Sequence, residues 1–269
     1  MIHATAFVHP DAQVDPSATI EPYAIVDGPA IIGPRTTVQS HAVITGRVTL
    51  GVGNVIGYGS VIGGYPQDLS FDAGCLTSVA IGDHNVIREH CTIHRGTKAD
   101  SETVVGSHNF LMAGAHLGHN ARIGNGVILA NNVLLGGYAT VGDRAFLGGG
   151  SVVHQHTRIG ALAILQGLTA VSKDVPPFVV AAGRNSVVAI NVVGLKRAGF
   201  DSAQRREAKQ AFALFYGSGR NATQARTAAA ETSWSKAVQP FWDFVADSRR
   251  GLCSLTPWHE IKAGSAPAD

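Results

Sequence analysis

Counting in sixes from Val8 meets only aliphatic side chains for ten steps: Val8, Val14, Ile20, Val26, Ile32, Val38, Ile44, Leu50, Ile56 and Ile62. The count resumes at Ile81, Ile87 and Ile93. It then runs twelve further steps, through Val105, Leu111, Leu117, Ile123, Leu129, Leu135, Val141, Leu147, Val153, Ile159, Leu165 and Val171. A period of six matches neither the 2.0 of a lone strand nor the 3.6 of a helix. It suits a short strand followed by a corner, with one inward side chain per segment. Successive coils would stack those side chains into ladders, and each coil would contact only its neighbours. The expected fold is an all-β parallel solenoid over residues 8–171. Glycine often follows the key residue, as in Ile32-Gly33, Ile56-Gly57, Leu117-Gly118 and Leu135-Gly136. Its placement there suggests corners that need tight or positive-φ backbone.

The repeat is interrupted twice. Residues 63–80 shift its phase, since Ile62 and Ile81 lie 19 apart, whereas 94–104 keep it, since Ile93 and Val105 lie 12 apart. Insertions in a solenoid project as loops and often build its binding face. The hexads stop after Val175-Pro176-Pro177, and from about residue 191 the pattern turns helical. Two units are therefore expected, a solenoid over 1–190 and a helical part over 191–269. The final KAGSAPAD reads as a loose tail.

Charge and cysteines narrow the class. Lys and Arg total 21 against 19 Asp and Glu, too even for a nucleic-acid or membrane-surface protein. The three cysteines are scattered and form no C-x-x-C, which fits a reducing compartment. The first twenty residues lack the pattern of a secretory leader, and no stretch approaches 18 apolar residues. The expectation is a cytoplasmic protein with no stable membrane insertion.

A further set of motifs recurs in order: Gln67-Asp68-Leu69, Ile93-His94-Arg95-Gly96-Thr97, His116-x-x-His119, Leu129-Ala130-Asn131-Asn132, His154-Gln155, Asp174-Val175-Pro176-Pro177 and Gly194-Leu195-Lys196-Arg197-x-Gly199-Phe200. The hexads resemble those of left-handed β-helix acyltransferases. The ordered motifs resemble, across nearly the whole chain, the acyl-[acyl-carrier-protein]–UDP-N-acetylglucosamine O-acyltransferases, which open lipid A synthesis. That resemblance implies a left-handed β-helix with a C-terminal helical domain, although general crossover rules favour the opposite hand. It also implies transfer of an (R)-3-hydroxyacyl chain from acyl carrier protein to the 3-hydroxyl of UDP-N-acetylglucosamine, in a homotrimer with sites between neighbouring rods. No cofactor or metal is implied.

A sugar hydroxyl needs a base at neutral pH, and imidazole suits that role. The resemblance assigns it to His119, beside Asn120, with the backbone N–H of Gly137 as oxyanion donor. It places Gln67, Asp68, Ser70, His94, His116, Tyr138, His154 and Gln155 about the donor and sugar, Asn191 and Arg197 at the nucleotide, and Gly167 where acyl length is set. Several positions depart from the family pattern. Asn120 replaces an Asp, Ser70 a Lys, Tyr138 a His, Val193 a Glu and Ala198 an Arg. An amide can orient an imidazole but cannot stabilise imidazolium by charge, so a weaker base is implied. The departures leave open an acceptor with a 3-amino group. Two other classes share the solenoid: a γ-type carbonic anhydrase, for which His94, His116 and His119 would be zinc ligands, and a non-catalytic binding rod. The His116-x-x-His119 spacing matches the acyltransferases better.

Overall fold

The computed structural model describes residues 1–256 and 260–261. The expected tail at 262–269 lies outside the described residues. Two- to five-residue strands wind into three flat faces, so the solenoid has the section of a triangular prism. Face one holds nine strands, from Phe7–Val8 through Thr92–His94, His116–Leu117, Leu134–Leu135 and Val152–Val153 to Ala170–Val171. Face two holds eight, ending at Arg122–Ile123, Thr140–Val141 and Arg158–Ile159. Face three holds eleven and contains Phe110–Leu111, Ile128–Leu129, Phe146–Leu147 and Ile164–Leu165. Partners in one uninterrupted face lie one coil of three hexads apart, as in Phe110 with Ile128 and Ile128 with Phe146, always parallel.

The aliphatic key residue of each hexad points inward. Ile20, Ile44, Ile62, Ile93, Leu117 and Leu135 are fully buried. Burying one such side chain contributes about 1.5–3 kcal/mol, and the repeat supplies one on every face of every coil. Polar ladders line parts of the interior. Asn54, Asn85 and Asn109 are buried, and the amide oxygen of each accepts the backbone N–H at the next level: Asn85, Asn109 and Val127.

The glycines after the key residues work differently from the sequence reading. Most have ordinary φ, and their need is close approach: a Cβ on Gly33 would sit 2.4 Å from the Gly51 carbonyl oxygen. The positive φ falls two residues later, at the third position after the key residue, and much of it is carried by larger side chains. Tyr23, His41, Asn120, Tyr138, His156, Leu162 and Leu168 all lie near +60°.

Both interruptions leave the prism at the same edge, where the chain passes from face one to face two. Residues 65–77 separate the strands Val61–Gly64 and Ser78–Ile81, and 95–101 separate Thr92–His94 and Glu102–Val105. The second loop thus adds six residues within one face-to-face step, which explains why the sequence period survives it. The coiling also outlasts the hexads. Val175 bridges Ile159 on face two, and the strand Val179–Ala182 pairs with Ile164–Leu165 on face three. Pro176-Pro177 therefore sits within a last, irregular coil. An antiparallel strand, Ser186–Ile190, closes the end. Helices follow: α1 (Val192–Arg197), α2 (Ser202–Phe212, continuing into a π-turn), α3 (Ala222–Ala230) and α4 (Gln239–Ala246). Phe215, Trp234, Phe241 and Trp242 pack edge-on or tilted at their centre. The strand Ser254–Leu255 then returns to pair with Ser186–Val187.

Candidate active site

The edge between faces one and two carries most of the candidate residues. Loops 65–77 and 95–101 lie at its lower levels, followed coil by coil by His119-Asn120, Gly137-Tyr138 and Gln155-His156. His116 stands on face one beside the same edge, next to the strand of His94.

His119 is half-buried at the corner, followed by Asn120 in the left-handed region at φ 59°. Asparagine tolerates that conformation better than most side chains. His119 Nδ1 lies 3.1 Å from Asn120 Oδ1. The opposite nitrogen, Nε2, faces the backbone one coil above, where a Cβ on Gly137 would be 2.4 Å from it. The Gly137 N–H makes no hydrogen bond among the described residues. Tyr138 donates its backbone N–H to the His119 carbonyl at 2.9 Å. Its ring meets the His119 ring edge-on at 5.3 Å and stacks on His156 at 4.7 Å. A neutral imidazole with one nitrogen held by an acceptor and the other lone pair open is the arrangement of a general base.

His94 and His116 meet edge to face at 4.9 Å, and Thr92 Oγ1 lies 2.7 Å from His116 Nδ1. Burial pushes the His94 imidazole from 6.5 down to about 4, with smaller repulsion from His116 and His119. His116 is lowered by burial first and then by His119. His94 Nδ1 is buried without a hydrogen-bond partner. Asp68 Oδ1 accepts the hydroxyl and backbone N–H of Ser70 at 2.7 and 2.9 Å. Those bonds, and more weakly the charge of nearby His119, hold its carboxyl below the usual range. Ser70 therefore shapes the loop around Asp68, while Gln67 is exposed. His154 and Gln155 are exposed two coils above His119.

The buried histidines set a pH dependence of stability. A group kept neutral in the fold but free to charge in the unfolded chain favours unfolding as protons are added. Stability from this source is complete above pH 6.5 and falls as the pH drops through about 4. Melting temperature is expected to decline across that window. His94→Gln is expected to flatten the decline, and an unchanged slope would refute the assignment.

Three candidates lie elsewhere on the rod. Asn191 is buried, and its amide is engaged at both ends: Oδ1 caps α1 through the Gly194 N–H, and Nδ2 donates to the Leu162 carbonyl, each at 2.8 Å. Arg197 ends that helix, exposed, at the edge between faces two and three. Arg144 donates to its carbonyl there. Gly167 is exposed at the third edge, between faces three and one. Thr92, Thr97 and His156, which the sequence singled out for no role, join the site. Thr97 ended a quoted motif, but nothing in its spacing disclosed its partners. Among the described residues, no group of three His, Cys, Asp or Glu side chains is placed to hold a metal ion, so His94, His116 and His119 do not form a zinc set.

The parallel β-helix wound on hexads, with an imidazole and an unpaired backbone N–H facing each other at one corner, defines a hexapeptide-repeat acyltransferase. The family model described as bacterial transferase hexapeptide (six repeats) matches residues 102–137, and that described as Udp N-acetylglucosamine O-acyltransferase, domain 2, matches 174–253. An acyl-[acyl-carrier-protein]–UDP-N-acetylglucosamine O-acyltransferase from Gloeothece citriformis is 42% identical over 200 residues, 74% of this chain and 72% of that protein. One from Burkholderia lata is 43% identical over 76% of this chain and 80% of its own. The UDP-N-acetylglucosamine acyltransferase structure from Francisella novicida superposes with a TM-score of 0.91 over the full length of both chains at 34% identity. The chain belongs to the acyl-[acyl-carrier-protein]–UDP-N-acetylglucosamine O-acyltransferase family. Its coils are left-handed. That hand runs against the general preference for right-handed crossovers between parallel strands.

Proposed function

We propose that this chain transfers an (R)-3-hydroxyacyl group from acyl carrier protein to the 3-hydroxyl of UDP-N-acetylglucosamine, the first step of lipid A synthesis. The observation that carries the reading is the open Nε2 of His119 facing the free backbone N–H corner at Gly137. His119 Nε2 takes the hydroxyl proton as the sugar oxygen attacks the thioester carbonyl. The Gly137 N–H donates to the resulting oxyanion, an interaction worth about 3–4 kcal/mol when well aimed. Collapse breaks the C–S bond, and the imidazolium returns its proton to the leaving thiolate. Asp68, His94 and His116 contact the sugar, supported by the partnerless buried nitrogen of His94. Gln67, Ser70, Tyr138, His154 and Gln155 line the rest of the cleft.

Arg197 holds the nucleotide phosphates by charge-assisted bonds, and Asn191 positions it by capping its helix. Gly167 leaves room for the acyl chain. A Cβ there would meet only the Gly149 carbonyl, at an ordinary 3.5 Å, so packing does not demand the glycine.

These residues occupy three different edges of one rod. A complete site therefore needs a neighbouring copy, and a homotrimer supplies it. The outward columns support closure. Val86, Phe110, Ile128, Phe146 and Ile164 run up face three, and Leu134 and Val152 up face one, whereas face two presents Arg122, Thr140 and Arg158. Partly exposed apolar strips of this kind support an interface, and a heterologous contact between faces one and three closes after three copies. Among the described residues no helix is long and apolar enough to cross a membrane. The reading places the enzyme in the cytoplasm, where its carrier-protein donor is made.

Mass spectrometry of products from UDP-N-acetylglucosamine and hydroxyacyl-carrier proteins of several lengths tests the proposal. A singly acylated product that mild alkali hydrolyses is expected, as an ester requires. No product with any donor, or an alkali-stable amide, would overturn it.

A further inference from the structure

Asn120 poses a problem that a carboxylate would not. Either oxygen of an Asp accepts from an imidazole N–H, so its rotation about the terminal bond is immaterial. An amide has one accepting end and one donating end. If its NH2 group faced His119 Nδ1, that nitrogen would have to accept, and the ring proton would move to Nε2. The base would then carry a proton where its lone pair is needed. In a histidine triad the same error costs about 10⁴-fold in kcat.

Thr97, on the loop 95–101, removes the ambiguity. Its backbone N–H lies 3.1 Å from Asn120 Oδ1, and its hydroxyl donates to the same oxygen at 3.0 Å. A backbone N–H can only donate, so the atom facing it must be the amide oxygen. His119 Nδ1 lies 3.1 Å from that oxygen and is thereby required to be the protonated nitrogen. The hydroxyl of Thr97 has one proton, already directed at Asn120. The Tyr138 hydroxyl 3.1 Å away must then donate to it. Tyr138 is held for this by its stack on His156, 8° from parallel. The bonds run one way: Tyr138 to Thr97, Thr97 to Asn120, with His119 donating to the same oxygen. Asn120 is fixed from behind as well, since its own N–H donates to Thr103 Oγ1 at 2.8 Å. Two departures from the family pattern, Asn120 and Tyr138, are thus joined through one threonine.

We propose that Thr97 is a positioning residue that locks the Asn120 amide, and through it the His119 tautomer, so that Nε2 is free to act as the base. Tyr138 supports the lock by donating to the Thr97 hydroxyl. The inference rests on His119 being the base, as argued above.

The test compares Thr97→Val, Thr97→Ser, Asn120→Asp and the Thr97→Val/Asn120→Asp pair. In the native background Thr97→Val is expected to lower kcat by about tenfold, the hydroxyl being half of the clasp, with KM nearly unchanged. Thr97→Ser, which keeps the hydroxyl, is expected to recover most of that loss. With Asp at 120 the orientation no longer matters, so adding Thr97→Val is expected to cost less than about twofold. Equal losses in both backgrounds would show a merely structural role and overturn the proposal. A second readout is independent of turnover. Nitrogen-15 histidine spectra, with His119 assigned by difference against His119→Gln, report which ring nitrogen carries the proton. Thr97→Val is expected to raise the Nε2–H fraction, and an unchanged tautomer would equally overturn the lock. Should Thr97→Val fail to fold, Thr97→Ala gives the same comparison. If His119→Ala retained activity, the assignment of the base would fall, while the spectra would still decide the lock.

Discussion

Replacing His119 by alanine is expected to lower kcat by about 10²–10⁴-fold, the span of general-base contributions, with little change in KM for the nucleotide sugar. The expectation comes from geometry. Among the described residues, His119 is the one histidine on this edge whose Nδ1 is held by a side-chain oxygen while Nε2 lies against the backbone of the coil above. His94 and His116, its imidazole neighbours on face one, are committed elsewhere, one by burial and one by Thr92. The fold should be unaffected, since residue 119 holds its corner through its backbone carbonyl, which accepts the Tyr138 N–H. Steady-state kinetics on a variant with native melting temperature checks this. A loss below threefold would remove His119 from the chemistry.

Gly137→Ala is expected to cost about 10²-fold in kcat, the scale of a misplacement near 1 Å. The added methyl would come 2.4 Å from His119 Nε2 and 2.5 Å from Cε1. The imidazole is the free end of a side chain, so it yields rather than the backbone. Swinging it away breaks the Asn120 contact and turns Nε2 from the oxyanion donor. The φ of Gly137 is not in the left-handed region, so alanine adds no backbone strain there. Melting temperature should therefore change little while kcat collapses. Equal losses of stability and rate would instead mark Gly137 as a packing glycine.

Much of the rod was legible because its physics is local and repeated. One aliphatic residue in six is enough to place a side chain inside at every coil, and Val8 through Val171 predict the strands almost one for one. The glycines after the key residue leave tight approach and positive φ undivided in the sequence, because close approach between coils is a contact across eighteen residues. Composition at Gly33 or Gly118 cannot distinguish it from a need for positive φ. The last coil carries no hexad signal for a similar reason: Val175 and Val179–Ala182 are held by pairing with Ile159 and Ile164–Leu165, not by a hexad of their own.

The site divides the same way. His119, Gly137 and Asp68 stand out as candidates from motif order, because each motif is short and its chemistry lies in the residue type. Thr97 does not. Its role depends on the loop 95–101 folding back over the corner of Asn120, a contact spanning 23 residues. Asn191 shows the converse. Its residue type suits a ligand contact, yet both ends of its amide are spent on the start of α1 and the Leu162 carbonyl.

The sequence by itself determined the solenoid, its period and the two breaks in it, because a buried aliphatic side chain every six residues needs a short strand and a corner at each step. Tertiary structure alone decided that both breaks open at the edge where His119 stands. It also decided that Arg197 and Gly167 stand at the other two edges. Which edge a residue occupies depends on its count in coils from every insertion before it, a sum of distant events that no local pattern records.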